Sequence, residues 1–278
     1  MIAALIIVFR EMIEAGLIVG IVLAVTRGVP GRGRWIIGGL CGGVAGAVLI
    51  AAFTDVISNA LSGMGQEVFN AAVLASAVIM LAWHNIWMAR HGREMAQDLK
   101  DIGEAVRGGN RSLMALAIVI GVAVLREGAE VVLFLYGVMI QGEETAKSIL
   151  AGTLAGVALG SGVSALTYLG LAKIPPRLLF AATTSLITFL AAGMAAQSTL
   201  FLEHAGVVTL FGNQAWDTSS ILSDTSLLGR VLHTLIGYND GPSALQVCVY
   251  LVVLLSIFTL TRLLRPASPI TVLKMVSA

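Results

Sequence analysis

Long apolar stretches dominate the chain, and polar residues gather in the short segments between them. A helix needs about 20 mostly apolar residues to cross the hydrocarbon core of a bilayer. Seven stretches come close to or exceed that length, so the pattern predicts seven transmembrane helices. They cover residues 3–25, 35–53, 68–89, 113–140, 148–172, 178–202 and 244–264.

Composition supports the same class of protein. Hydrophobic residues make up 57% of the chain and charged residues 12%, whereas soluble domains carry about 25% charged residues. We therefore predict an all-α integral membrane protein whose residues 1–278 form a single polytopic domain. We expect membrane lipid to surround the protein, and we expect no nucleic-acid partner.

The charges in the connecting segments predict the orientation. If the N-terminus lies outside, thirteen lysines and arginines face inward and only Lys147 and Arg230 face outward, as the positive-inside rule requires. This predicts an N-terminus outside and a C-terminus inside, in the cytoplasmic membrane. The outer side instead holds eight acids, which would attract cations, although outer loops could simply lack bases. These acids are Asp55, Glu67, Glu143, Glu144, Glu203, Asp217, Asp224 and Asp240.

An Arg-Glu-x-x-Glu string occurs in the first and fourth apolar stretches, from Arg10 to Glu14 and from Arg126 to Glu130. A charged side chain at the bilayer centre costs about 3 kcal/mol on insertion scales, so these six charges need partners. At 100° per residue all three charges of a string project from one side of a helix. The spacing of four lets each arginine pair with the last glutamate of its own string.

Each string keeps one carboxylate in excess, because two arginines cannot neutralise four glutamates. A cation would balance the excess, and carboxylate oxygens suit hard metal ions such as ferric iron. The expected metal ligands are Glu11, Glu14, Glu127 and Glu130, with Arg10 and Arg126 as their ion-pair partners. Purely structural ion pairs, with the surplus glutamates protonated by burial, remain an alternative.

Histidine and cysteine are missing from both strings, which argues against a dedicated zinc or copper site. The four histidines are expected near span ends or in loops. Among them only His204, next to Glu203 at an outer end, is a candidate for contact with metal.

The two strings lie in spans that run in opposite directions, which predicts two inverted repeats of three helices with a substrate site at their interface. The repeats cover about residues 1–90 and 112–203, and the seventh helix, at about 244–264, is an addition. The outer loop, at about 204–243, contains an apolar helical face over 227–236 that we expect to cap the outer mouth.

Two more patterns predict helix packing. Gly152, Gly156 and Gly160 recur at every fourth position, so one face of the fifth span allows close approach of a neighbouring helix. Residues 90–107 place apolar residues on one side of a helix and charges on the other, which indicates an amphipathic helix at the cytoplasmic surface, with a solvated connector as the alternative.

The chain resembles the oxidase-dependent iron permeases, the family of the fungal high-affinity iron permease and the bacterial EfeU-type iron permease. Four features carry the resemblance. They are the two Arg-Glu-x-x-Glu strings, Glu67 opening a span that closes with Trp83 and Trp87, the run from Trp216 to Ser219, and the run from Gly237 to Ser243. Met12 stands where the family usually has glycine, and Asn70 where many members have a second acid.

The resemblance implies seven helices, iron as the transported substrate and the four motif glutamates as the residues that pass it on. It also implies a periplasmic or extracellular oxidase or iron-delivery protein docking on the outer loop. Glu67 and Asp217 are possible outer-mouth ligands, although a solvated acid and a helix cap explain them equally well.

We therefore expect an iron permease with iron as substrate, no organic cofactor and no enzymatic activity. One alternative is a transporter of another metal ion such as manganese or lead. Another is a membrane-embedded carboxylate metalloenzyme of the di-iron type, although such sites commonly use a Glu-x-x-His pair that neither string contains. A purely structural membrane subunit is a third.

Overall fold

The computed structural model describes residues 1–60, 66–141, 145–170, 176–209 and 211–264. Within these ranges the chain forms eight helices and no strand. The helices are α1 (Ile2–Val25), α2 (Arg32–Ala60), α3 (Gln66–Arg107), α4 (Met114–Ile140), α5 (Ala146–Tyr168), α6 (Pro176–His204), α7 (Leu227–Ile236) and α8 (Ala244–Leu263).

Five of the helices are long and apolar enough to cross a membrane, so the protein is a multi-pass membrane protein. The five lie within α2, α3, α5, α6 and α8. Helices α1 and α4 are 24 and 27 residues long, but each carries the three charges of its motif. The all-α prediction is confirmed for the described residues.

The helices that carry the charged motifs pack against the other helices of the bundle. Helix α1 packs mainly on α5, α2 on α4, and α3 on α6, while α8 packs on α6. Helices α2, α5 and α8 present exposed side chains such as Val48, Leu154 and Val252, which suit contact with lipid. A buried cluster that includes Ile7, Leu74 and Phe134 joins α1, α3 and α4.

The predicted glycine row of α5 lies against α1. A Cβ on Gly156 would meet the backbone oxygen of Leu5 and the side chain of Val8. Helix α2 uses the same device on α4, since a Cβ on Gly43 would meet the oxygen of Gly121 and the side chain of Val124. The backbone of each motif helix therefore lies close to the backbone of a neighbouring helix, and glycines of that neighbour make the close approach possible.

Helix α3 is 42 residues long, about 63 Å at 1.5 Å per residue. The amphipathic segment predicted at the membrane surface is the second part of this one helix. Its Leu99 and Val106 are buried with Ile18 and Ile120, so its apolar face packs on the helix bundle. The apolar face therefore contacts protein, while the position of this segment at the cytoplasmic surface stays a prediction.

The segment that we expected to cap the outer mouth contains the short helix α7. Ser226 caps α7 by accepting a hydrogen bond from Gly229 N, and Gly237 ends it with a φ of 70°, a conformation that favours glycine. The Tyr238 hydroxyl donates to Leu222 O at 2.7 Å and lies 2.7 Å from the Thr218 hydroxyl. These bonds join the two outer-loop runs that the sequence singled out.

Candidate metal centre

The two Arg-Glu-x-x-Glu motifs meet inside the bundle, on either side of His84 from α3. The five side chains Glu11, Glu14, His84, Glu127 and Glu130, called the central cluster below, are between 0% and 4% exposed. Helices α1, α3 and α4 hold them there because each helix contributes to the buried apolar layers above and below. The four glutamates named from the sequence therefore lie together.

In the first motif one arginine serves two carboxylates. Arg10 Nη2 lies 2.8 Å from Glu14 Oε1, the predicted pair at a spacing of four, and Nη1 donates to Glu11 Oε1 at 2.7 Å. Glu11 is therefore not wholly in excess. Its second oxygen, Oε2, is buried without a hydrogen-bond partner among the described residues.

In the second motif the arginine is turned outward. Arg126 Nε donates to Glu130 Oε1 at 3.2 Å, again the predicted pair. The guanidinium carbon lies 4.6 Å from the centre of the Trp87 ring, a cation–π contact, and the side chain is 37% exposed. The ring of Trp87 therefore faces this arginine.

Glu127 is consequently the least neutralised carboxylate of the central cluster. It has no ion pair among the described residues, and its Oε2 is buried without a hydrogen-bond partner there. A buried carboxylate in this state is costly. It is the kind of group that a passing cation would stabilise.

His84 links the two motifs. Its Nε2 lies 3.1 Å from Glu14 Oε2 and its Nδ1 lies 2.5 Å from Glu130 Oε2. The expectation that every histidine lies near a span end or in a loop is wrong for His84, which is 1% exposed within α3. The available signal was the adjacent polar pair of His84 and Asn85 in an otherwise apolar stretch.

A metal ion could be held between the two motifs and α3. Glu11, His84, Glu127 and Glu130 each offer one ligand atom, and these atoms lie within 4.8 Å of one another. Opposite ligands around a first-row metal ion are about 4.2 Å apart, given bonds of about 2.1 Å. A small inward movement of the side chains would therefore complete the coordination. Glu14 lies beside this set, with one oxygen facing Arg10 and the other His84.

The predicted outer-mouth residues lie apart from the central cluster. Glu67 is exposed in the first turn of α3. Asp217 is exposed in the loop before α7, and its Oδ1 accepts hydrogen bonds from Ser219 N at 3.0 Å and Ser219 Oγ at 2.6 Å. These bonds lower the pKa of Asp217, so it carries a negative charge at neutral pH.

The remaining outer acids and His204 have other surroundings. His204 is exposed at the end of α6, and no metal-ligand group of the described residues includes it. The neighbouring Glu203 accepts a hydrogen bond from Ser243 Oγ at 2.8 Å, which ties α6 to the start of α8. Glu143 and Glu144 lie outside the described residues.

A cavity of about 620 Å³ reaches the central cluster from one end of the bundle. It starts at Arg10 and Glu14 and continues along the later turns of α1 and α3, the first turns of α6 and the last turn of α8. We call it the inner cavity. Its other lining residues include Leu17, Ile21, Asn85, Met88, Leu99, Leu178, Thr184 and Thr261.

The fold and these groups define the class of the protein. It is a multi-pass helical membrane protein with ionisable side chains buried in its centre and a cavity leading to them, the arrangement that marks ion pathways in transporters. The chain matches the iron permease FTR1 family over residues 1–272, and it belongs to that family. The predicted family is therefore confirmed.

Curated relatives agree with this assignment. Over 254 residues the chain is 31% identical to the ferrous iron permease EfeU of Escherichia coli O6:K15:H31, covering 90% of this chain and 91% of the relative. It is likewise 31% identical to the ferrous iron permease EfeU of Yersinia pestis over 253 residues, covering 90% and 89%. No solved structure matches the chain.

Proposed function

We propose that this iron permease passes iron through the central cluster, with Glu11, His84, Glu127 and Glu130 as transient ligands. Membership of the permease family makes the protein a transporter and not an enzyme, with iron as its substrate. The observation that carries the ligand assignment is the set of four donor atoms within 4.8 Å, two of whose carboxylates keep a buried oxygen without a partner.

The transported ion is proposed to be ferrous. The four carboxylates of the central cluster and the two motif guanidiniums together carry two negative charges when His84 is neutral, which a divalent ion balances. Imidazole beside carboxylates is also a softer donor set than carboxylates alone and suits ferrous iron. The two relatives described above carry the name ferrous iron permease, which supports the same choice over the ferric ion first considered.

The proposed topology has seven spans, with α1 and α4 added to the five apolar helices. The N-terminus lies outside and the C-terminus inside the cytoplasmic membrane, and the inner cavity then opens to the cytoplasm. The whole chain forms one polytopic domain, in which α8 is the additional helix.

Helix packing supports the proposed inverted repeat of α1–α3 and α4–α6. Leu5 and Gly121, whose oxygens face the glycines of α5 and α2, each stand five residues before the arginine of their motif. Val8 and Val124, whose side chains face the same glycines, each stand two residues before it. If the two halves are exchanged, α1 takes the place of α4 and α5 takes the place of α2. The contact between α1 and α5 then corresponds to the contact between α4 and α2.

Iron is proposed to enter from the acidic outer side. Glu67 and the ionised Asp217 would raise the local concentration of cations there. The loop around Tyr238 is the proposed docking face for an oxidase or iron-delivery protein, as the family resemblance implies. Its hydrogen bonds to Thr218 and Leu222 make it a preformed surface.

The assignment is tested by measuring uptake of radioactive ferrous iron into proteoliposomes. Glu130→Gln and Glu14→Gln should each lower the initial rate at least tenfold, because each removes a charge that holds either the ion or His84. Lys147→Glu is the control, since Lys147 is exposed at the start of α5. Normal rates in both glutamine variants would remove these carboxylates from the mechanism.

Competition between metals tests the choice of ion. Excess manganese or lead ions should lower iron uptake less than an equal excess of unlabelled ferrous iron. Stronger competition by manganese would favour the alternative of a manganese transporter, which carboxylate-rich sites also suit.

A further inference from the structure

The inner cavity holds two buried polar side chains that the central cluster does not use, Asn85 and Thr261. We propose that Asn85 and Thr261, together with Glu14, form a second and weaker binding station for the ion on its way to the inner mouth. This set is called the inner station. The inference rests on the proposed function, because it places a further step on the same pathway.

Asn85 is 2% exposed, and neither its Oδ1 nor its Nδ2 has a hydrogen-bond partner among the described residues. A buried amide without partners has lost its hydrogen bonds to water without replacing them, which destabilises the folded protein. Native structures rarely keep such groups unless water or an ion satisfies them. Because Asn85 lines the inner cavity, water or an ion inside the cavity would be its partner.

Thr261 behaves differently from other buried threonines of the bundle. The hydroxyls of Thr188 and Thr199 donate to the carbonyl four residues earlier, at 2.7 and 3.0 Å, the usual arrangement within a helix. Thr261 is 7% exposed, lines the inner cavity and has no hydrogen-bond partner for Oγ1 in the ranges that the structure covers. Its hydroxyl is available to the cavity.

Glu14 supplies the charge of the inner station. It belongs to both regions, since its carboxylate contacts His84 in the central cluster and also lines the inner cavity. The amide and hydroxyl oxygens are neutral donors, which hold a divalent ion through its remaining water shell more weakly than carboxylates do. A volume of about 620 Å³ accommodates a hydrated ion, since one water occupies about 30 Å³.

A weaker binding site beside a stronger one would speed release of the ion. An ion bound by several carboxylates leaves slowly unless another site accepts it, and transport requires binding that permits release. The inner station would lower the cost of the step from the central cluster into water. It also gives α8, which contributes no motif residue, a place on the pathway.

The test compares transport with binding in the full-length protein. Thr261→Val replaces the hydroxyl by a methyl group of similar size, and Asn85→Leu replaces the amide by an apolar group. The double variant should lower the initial rate of ferrous iron uptake into proteoliposomes at least fivefold. Its affinity for Mn²⁺ at the central cluster, measured by equilibrium dialysis in detergent, should change less than twofold.

Thr188→Val is the matched control, because Thr188 is equally buried but bonds to its own helix and lies outside the cavity lining. Its uptake rate should equal that of the unmodified protein. An unchanged rate in the double variant, with Glu130→Gln inactive, would overturn the inner station and leave the proposed function intact. Normal uptake in both would overturn the proposed function and the inner station together.

Asn85→Asp provides a second measurement that does not depend on transport. A carboxylate at this position should convert the weak station into a tight one. The variant should therefore bind one Mn²⁺ per chain more than the unmodified protein under the same dialysis conditions. No additional Mn²⁺ in a variant that elutes as folded protein would contradict the inner station.

Discussion

His84 is the residue on which the two motifs depend jointly. Its two ring nitrogens face Glu14 of α1 and Glu130 of α4, so it positions one carboxylate from each half. The ion pairs of the two arginines, by contrast, stay within their own helices in the described part of the chain. The imidazole therefore links one carboxylate of each motif.

His84→Leu should lower both iron uptake and the affinity for Mn²⁺ at least tenfold, because it removes a ligand and the link between Glu14 and Glu130. Uptake into proteoliposomes and equilibrium dialysis measure the two effects. His204→Leu, a change of the same kind at an exposed position, should alter neither. Unchanged metal affinity in His84→Leu would exclude the imidazole as a ligand.

The Trp87 ring contacts the Arg126 guanidinium, and we expect this contact to restrain the arginine. Loss of its ring in Trp87→Leu should let the guanidinium move toward Glu127 and compete with the metal. A cation–π contact is worth about 0.5–1 kcal/mol at exposed sites, so the Mn²⁺ dissociation constant should rise about two- to fivefold.

Trp83→Leu is the control for this change. Trp83 lies on the same helix, is 69% exposed and is not part of the central cluster. Equal dissociation constants for the two variants would show that the Trp87 ring does not restrain Arg126.

At the scale of the helices, close approach of the backbones fixes the position of each motif. Gly43→Ala and Gly156→Ala should each destabilise the protein by about 1–3 kcal/mol through overpacking, because the new methyl group would meet backbone oxygens of α4 and α1. Thermal unfolding in detergent measures this loss. The two losses should be similar if the halves are true repeats.

Gly42→Ala and Gly162→Ala are the matched controls on the same two helices. A Cβ at either position meets no atom within 4 Å, and alanine is the better helix former by about 1 kcal/mol. Unfolding temperatures of these controls should stay level or rise. Destabilisation by all four substitutions alike would exclude helix contact as the cause.

Many features of the individual helices could be predicted from the sequence, because the residues that produce them lie close together along the chain. The pairs Arg10–Glu14 and Arg126–Glu130 lie one helical turn apart, and the glycine row of α5 has a regular spacing of four. The short helix α7 likewise follows from its own apolar face. Each of these features lies within one helix, so its spacing along the chain carries the information.

The contacts between helices could not be predicted in this way. His84 is 70 residues from Glu14 and Trp87 is 39 from Arg126 along the chain, so no local spacing relates them. The partner of the apolar face in the second part of α3 was unpredictable for the same reason, because a periodic pattern specifies an apolar face but not what covers it. Thr261 and Asn85 are likewise related only because both line the inner cavity, which no spacing along the chain indicates.

At the scale of the whole molecule, the orientation has a direct test. In a variant with Cys41 and Cys248 replaced by alanine, Ser219→Cys should react with a membrane-impermeant maleimide in intact cells. Ser112→Cys, exposed between α3 and α4, should react only after the cells are opened. Labelling of Ser112→Cys in intact cells would reverse the proposed topology.

The continuity of α3 has a mechanical consequence. One uninterrupted rod carries His84, Asn85 and a wall of the inner cavity as far as Leu99. Tilting this rod to widen the inner cavity would also pull the imidazole away from at least one of its two carboxylates. Unlocking the ion and opening its way out would then be a single movement, with no separate gate to coordinate.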